Sequence, residues 1–198
     1  MAPTFVGLTG GIGAGKSEAL AAFERAGAAG LASDSVVHEL LRTDELRERL
    51  VERWGGDVAP GGEIDRGRVA EIVFERPDEL RWLESELHPR VGKRIAAWRD
   101  ALPADMKLAV VEVPLLFETG MEKAFDAIVC VVAEDERRAS RATGRGLAGL
   151  GGRSERQLSQ EEKAARATHV ISNDGTLADL DAKIVDLVGD LTGSGDSR

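Results

Sequence analysis

Short apolar runs alternate along the chain with stretches whose apolar residues fall at helical spacing. "FVGLTG" at 5–10 is a compact apolar run ending in glycines, and "KSEALAAFERAG" behind it carries a helical pattern that stops at Gly27. A second run, "AGLASD" at 29–34, predicts a strand with Asp34 at its carboxyl end, after which Val36, Val37, Leu40 and Leu41 mark an amphipathic helix. "KLAVVEVPLLF" at 107–117 and "FDAIVCVVA" at 125–133 are near-continuous apolar runs, the pattern of parallel strands covered on both faces. A fifth strand, "HVISN" at 169–173, precedes a helix with Leu177, Leu180, Ile184, Leu187 and Leu191 on one side.

Residues 36–103 break this rhythm, with helical patterns punctuated by "WGGDVAPGGEID", "RPD" and "HP" and no alternation. Val91, Ile95, Trp98 and Leu102 fall on one helical face, and Pro89 fits the first turn of the helix that carries them. Trp54, Trp82 and Trp98 read as core residues. "EDERRASRAT" and "ERQLSQEEKAARA" read as helices flanking the glycine- and arginine-rich "GRGLAGLGGRSERQ", a mobile loop by composition. The pattern predicts an α/β fold, a doubly wound parallel five-stranded sheet with an inserted helical domain and a lid. Its parts are a core at 1–35, 104–140 and 167–191, a helical domain at 36–103, a lid at 141–166 and a disordered tail at 192–198.

Composition narrows the class. A formal net charge of −9 excludes broad binding to a nucleic-acid backbone, and no apolar run approaches the roughly 20 residues of a membrane span. The opening "MAPTF" leaves no room for a secretory leader, and the single cysteine, Cys130, reads as a small buried hydrophobe. A cytoplasmic location is the expectation.

Gly10, Gly15, Lys16 and Ser17 satisfy G-x-x-x-x-G-K-[ST] between a strand and a helix. In such a loop the backbone N–H groups around Gly11, Gly13, Ala14 and Gly15 cradle a nucleotide's phosphates, Lys16 reaches the β- and γ-phosphates, and the Ser17 hydroxyl sits on Mg2+. ATP is then a substrate. No G-x-G-x-x-G follows a predicted strand, its one match at 144–149 lying in the glycine-rich loop, and "NKxD" does not occur, so a dinucleotide site and a GTPase lack support. Asp34 reads either as a helix cap or as a general base for an attacking hydroxyl. Arg137, Arg138, Arg141, Arg145, Arg153 and Arg156 cluster around the glycine-rich loop, and Arg145, between Gly144 and Gly146, is the most lid-like. His88 sits in the helical insertion, where a structural or substrate-contact role is the reading, while His38 and His169 lack zinc-site spacing.

Over about residues 4–191 the segments "GLTGGIGAGKS", "SDSVVHELL", "FERPDELRWLESELHP", "EVPLLFETG" and "RSERQLSQEEKAARATHVISNDG" together resemble the dephospho-coenzyme A kinase family. The resemblance implies a P-loop kinase with core, helical acceptor domain and lid. The implied reaction passes the γ-phosphoryl group of ATP, with Mg2+, to the ribose 3′-hydroxyl of dephospho-coenzyme A. It assigns Gly13 to Glu18 to the phosphate loop, Asp34 to the general base, Arg145 to the lid and Asn173 to the adenine. Thr9, Leu115 and Leu116 border the acceptor. No nucleic acid, membrane or obligate partner is implied, and a monomer or weak homo-oligomer is the expectation. The chain departs from the family pattern at Ala32, where the first acid of D-x-D usually stands, at Glu18, often Thr, and at Thr168, usually Asp. Two alternatives stay open: a P-loop kinase of another small acceptor (nucleoside, shikimate or sugar acid), and, because of Ala32, a nucleotide-binding regulator without catalysis.

Overall fold

The five apolar runs form five parallel strands in a computed structural model of the chain, which describes residues 2–144 and 157–193. They are β1 (Thr4–Gly10), β2 (Ala29–Ala32), β3 (Leu108–Glu112), β4 (Ala127–Val132) and β5 (His169–Ser172). They stand side by side in the order β2-β3-β1-β4-β5. Leu8 pairs with Glu112 on one side of β1 and with Val129 on the other. Chain order reverses across β1, and in such sheets the crevice at the carboxyl ends beside that strand is the ligand site.

Period-two alternation divides the sheet's core. Val6 and Leu8 point to one face, where they meet Ala19, Leu20 and Phe23 of α1 (Lys16–Arg25) and Leu180, Ile184 and Leu187 of the last helix. Phe5 and Gly7 point to the other. There Phe5 stacks on Phe125 with ring centroids 4.7 Å apart, and Gly7 leaves the space that Leu116 and Phe125 fill. The chain's first residues are tied in by a reciprocal clasp, Phe5 N–H donating to the Asp126 carboxylate and Asp126 N–H to the Phe5 carbonyl, each at 2.8 Å.

Residues Ser33–Ala101 form a second compact unit, against 36–103 expected from the pattern. It contains α2 (Ser33–Leu40), α3 (Asp44–Trp54), α4 (Arg66–Glu75) and α5 (Pro77–Asp100), with short 3₁₀ turns between α3 and α4. Thr43 and Asp65 cap α3 and α4 with their side-chain oxygens. Leu46, Leu50 and Val58 are its fully buried centre, with Leu83, Val91 and Ile95 of α5 packed inside. Ion pairs join α3 to α5: Arg49 to Glu86, Arg90 to Glu45, and Arg53 to Glu79. Arg53, and then the Trp54 indole N–H, hold the Glu79 carboxyl below its usual range. Trp54 and Trp82 meet edge to face over 5.1 Å, yet all three tryptophans are only partly buried, a correction to their expected place in the core.

Pro89 also departs from expectation. It lies inside α5, whose N-terminal proline is Pro77, and the helix continues past it because Leu83, Val91 and Ile95 bury one side along its length. Pro89 itself is exposed. The remaining helices are α6 (Asp135–Gly144), α7 (Gln160–Arg166) and α8 (Leu177–Thr192). Hence α6 runs past the expected lid boundary at 141, and α7 starts only at Gln160, where Ser159 and Glu162 form a capping box. Arg145, Arg153, Arg156 and the loop 145–156 lie outside the described residues, as does the tail beyond Gly193. Among the described residues no helix is long and apolar enough to cross a membrane.

Pro89 removes one helical hydrogen bond and crowds the preceding turn, so Pro89→Ala is expected to stabilise the chain by about 1–3 kcal/mol, read as a higher denaturation midpoint. Cys130 in β4 is fully buried, and burial pushes its thiol up to about 11. A thiol raised in the fold contributes stability below its ordinary value near 9, lost as pH rises toward 11. Cys130 is therefore expected to resist thiol reagents at pH 8 until denaturant is added, and Cys130→Ala to flatten the decline of stability above pH 9.

Candidate functional site

The loop from Gly10 to Ser17 leaves β1 at the switch in strand order. Gly10 has φ +152°, and a Cβ there would collide with the Val131 carbonyl oxygen of β4, so the motif's first glycine is required by the sheet itself. Ala14 N–H closes a turn onto the Gly11 carbonyl at 3.2 Å. The Lys16 ammonium donates to the Gly10 and Gly11 carbonyls at 3.3 and 3.0 Å, inside the loop's curl. Gly15, with φ +91°, precedes α1 and offers no side-chain cap, which leaves the helix's first N–H groups for an anion. Ser17 is exposed in the first turn. Glu18 is engaged along the helix, where Arg25 joins it at 3.2 Å to Asp181 at 2.5 Å.

Two side chains hold the loop from outside. Arg138 of α6 donates Nε–H to the Ile12 carbonyl at 3.1 Å, while its carbonyl oxygen lies 2.5 Å from where a Gly13 Cβ would be. Asn173, just past β5 and buried, donates Nδ2–H to the Ala14 carbonyl at 2.9 Å. Its own N–H bonds the Val132 carbonyl at 2.8 Å. Asp174 next to it accepts from Glu134 N–H at 2.7 Å and from the Ser172 hydroxyl at 2.8 Å, and these bonds keep its carboxyl below the usual range. An open cleft of about 600 Å3 beside the loop is lined by Gly11, Ile12, Arg138, Gln157 and Gln160, among others.

Behind β3 the Pro114 carbonyl is a polar hub. It accepts from the Lys163 ammonium at 2.6 Å, the Gln157 amide at 3.2 Å and the Thr9 hydroxyl at 3.5 Å. Lys163 is 0% exposed and also pairs with Glu118 at 2.9 Å; Glu118 in turn accepts from Leu158 N–H at 2.9 Å. The Gln160 amide grips both the N–H and the carbonyl of Ala133. The chain returning from 145–156 is thus bolted to the carboxyl ends of β3 and β4.

The structure gathers Gly11, Gly13, Ala14, Gly15, Lys16, Ser17 and Asn173 in one body. Asn173 is engaged with the loop backbone, where the resemblance implied the adenine. Thr9 and Leu116 are fully buried, and Leu116 fills the space at Gly7, so of the implied acceptor border only Leu115 keeps partial exposure. Asp34 and His88 belong to the helical unit, Asp34 exposed in the first turn of α2 rather than in the strand, His88 exposed on α5. Among the described residues no group of three or more His, Cys, Asp or Glu could hold a metal. The sequence pattern does not single out Glu112 or Lys163, and it places Arg138 with the arginines of the lid, whereas Arg138 holds the phosphate loop through the Ile12 carbonyl. Glu112 is a buried acid ending β3, in register with both Leu8 and Ala32. An acid closing an apolar strand was a readable signal; for the other two, nothing local distinguishes a buried or loop-bound cation from a solvated one.

The dephospho-CoA kinase family model matches residues 4–179. A dephospho-CoA kinase of Deinococcus radiodurans is 38% identical over 186 residues, 92% of this chain and 89% of that protein. A crystal structure of a Thermus thermophilus protein superposes with a TM-score of 0.82 at 33% identity, covering 98% of this chain and all of the other. A dephospho-CoA kinase from Campylobacter jejuni, at 24% identity and a TM-score of 0.71, shares the fold over 96% of this chain and 98% of its own.

Removing the Lys163 ammonium would leave the Glu118 carboxylate buried without its counter-charge. Lys163→Met is expected to cost about 3–5 kcal/mol in chemical denaturation, and Lys163→Met with Glu118→Leu to regain most of it.

Proposed function

The chain belongs to the dephospho-CoA kinase family, and from that premise we propose that it transfers the γ-phosphoryl group of ATP to the ribose 3′-hydroxyl of dephospho-CoA, giving CoA and ADP. The observation that carries the reading is a family match spanning the phosphate loop, the helical unit and Asn173 in one chain. In direct in-line transfer the acceptor oxygen forms the new P–O bond, the bond to the β-phosphate oxygen breaks, and the hydroxyl proton must go to a base. Asp34 is that base. The loop's N–H groups and the N-terminus of α1 hold the phosphates, Lys16 follows the charge moving between β- and γ-oxygens, and Arg145 covers it.

Ser17, with the Glu112 carboxylate, would hold the Mg2+ that accompanies ATP, and the ion would supply neutralisation of the phosphate charge. The donor chemistry fits such an ion: the exposed Ser17 hydroxyl and the Glu112 carboxylate are hard oxygen donors. Glu112 stands in register beside Ala32, so it supplies an acid where the first one of D-x-D is missing. The helical unit, which carries Asp34 and His88, is the acceptor domain. ATP and dephospho-CoA are the only partners the reaction needs, the chain acts as a monomer or weak homo-oligomer, and the cytoplasm is its compartment.

A coupled ADP-release assay tests this. Wild type is expected to turn over with dephospho-CoA and not with shikimate, nucleosides or sugar acids. Lys16→Ala should abolish turnover, and Asp34→Asn should keep ATP affinity while losing at least about 10²-fold in kcat. ATP binding without ADP release in wild type would convert the reading to a regulator, and near-normal turnover of Asp34→Asn would remove Asp34 from the base role.

A further inference from the structure

The two outside contacts on the phosphate loop share a geometric consequence. All described peptide bonds are trans, and a trans peptide directs its carbonyl oxygen and the following N–H to opposite sides. Arg138 holds the Ile12 carbonyl, so Gly13 N–H points away from α6; Asn173 holds the Ala14 carbonyl, so Gly15 N–H points away from the β5 end. Gly13 and Gly15, with φ of +75° and +91°, are the loop's turning points, and without a Cβ they impose little orientation of their own. Each anchor is itself fixed. Arg138 is paired with Asp135 at 2.8 Å, and Asn173 is tied to β4 through the Val132 carbonyl, next to the Asp174 bonds to Glu134 and Ser172. The two donors come from segments far apart in sequence and converge on carbonyls two residues apart.

We propose that Arg138 and Asn173 are positioning residues for nucleotide binding: they fix the loop carbonyls outward before ATP arrives and so aim the Gly13 and Gly15 N–H groups at its phosphates. They act through the loop backbone. The free loop thereby starts in its binding conformation, and the cost of ordering two glycine peptides is met in folding rather than in binding. This rests on the ATP site of the proposed kinase but not on the identity of the acceptor.

The test is ADP binding by isothermal titration calorimetry, without acceptor, beside the unfolding midpoint of the ligand-free chain. Arg138→Met and Asn173→Ala are each expected to raise the ADP Kd about tenfold, and the double variant to fall short of the product, because both act on one loop. Arg138→Lys, which keeps a donor on the same stem, should lie between. Ligand-free midpoints should stay within about 3 °C of wild type while the ADP-induced shift shrinks, and the Gly13 and Gly15 amide protons should exchange faster in the ligand-free variants. ADP Kd values within twofold of wild type overturn the proposal, as does an affinity loss tracking a collapse of the ligand-free midpoint in every variant including Arg138→Lys. ADP binding that follows the prediction while dephospho-CoA is not phosphorylated would sink the acceptor assignment and leave this one standing.

Discussion

A peptide group is a rigid dipole, and a loop that gathers anions must turn several of these dipoles the same way against their mutual repulsion. In this chain that demand falls on the turn after β1, where N–H groups have to face a common centre while their carbonyls find partners elsewhere. The rest of the core follows from supplying those partners. The β4 strand presses on Gly10, α6 presses on Gly13 and bonds Ile12, and the turn after β5 bonds Ala14. Parallel strands are needed because they bring these segments, remote in sequence, to one end of the sheet.

The carboxyl edge also carries a second polar system, built around a carbonyl. Around the Pro114 carbonyl, an ammonium, an amide and a hydroxyl converge, and Glu118 balances the ammonium from the side. Burying a full positive charge is costly unless such partners surround it, so Lys163 demands that the segments from Pro114 to Glu118 and from Gln157 to Lys163 be formed together. The chain returning to the sheet after 156 is thereby fixed close to the nucleotide end.

Much of this is legible in the sequence itself. Strands buried on both faces, such as β3 and β4, announce themselves as continuous apolar runs, while β2 and β5 are only partly covered and rest on shorter runs; the phosphate loop declares itself through glycine spacing. Asp34 was placed at a strand end because "AGLASD" reads as one unit, whereas Ser33 already has helical geometry. Pro89 was taken for a helix start because proline favours that position, but an apolar face running from Leu83 to Ile95 carries the helix through it. The backbone contacts of Arg138, Lys163 and Asn173 are invisible in the sequence, since a side chain donating to a distant backbone carbonyl leaves no periodic trace. Thr168 shows the same limit: its hydroxyl both accepts from the Ile128 N–H and donates to the Ile128 carbonyl, extending the β4–β5 pairing by side chain, and composition alone offers no hint of it.

The position of the helical unit in the topology sets how such a protein can change. β2 and β3 are parallel neighbours, so the chain leaving Ala32 at the carboxyl edge must travel back to the amino edge before it can enter Leu108. Ordinarily one crossover helix does this; here residues 33–107 do it, with the whole unit Ser33–Ala101 serving as the return path. A connection of that kind is obligatory in length but free in content. Mutation can remodel it, enlarge it or exchange it for another helical return without touching strand register or the phosphate-holding turn.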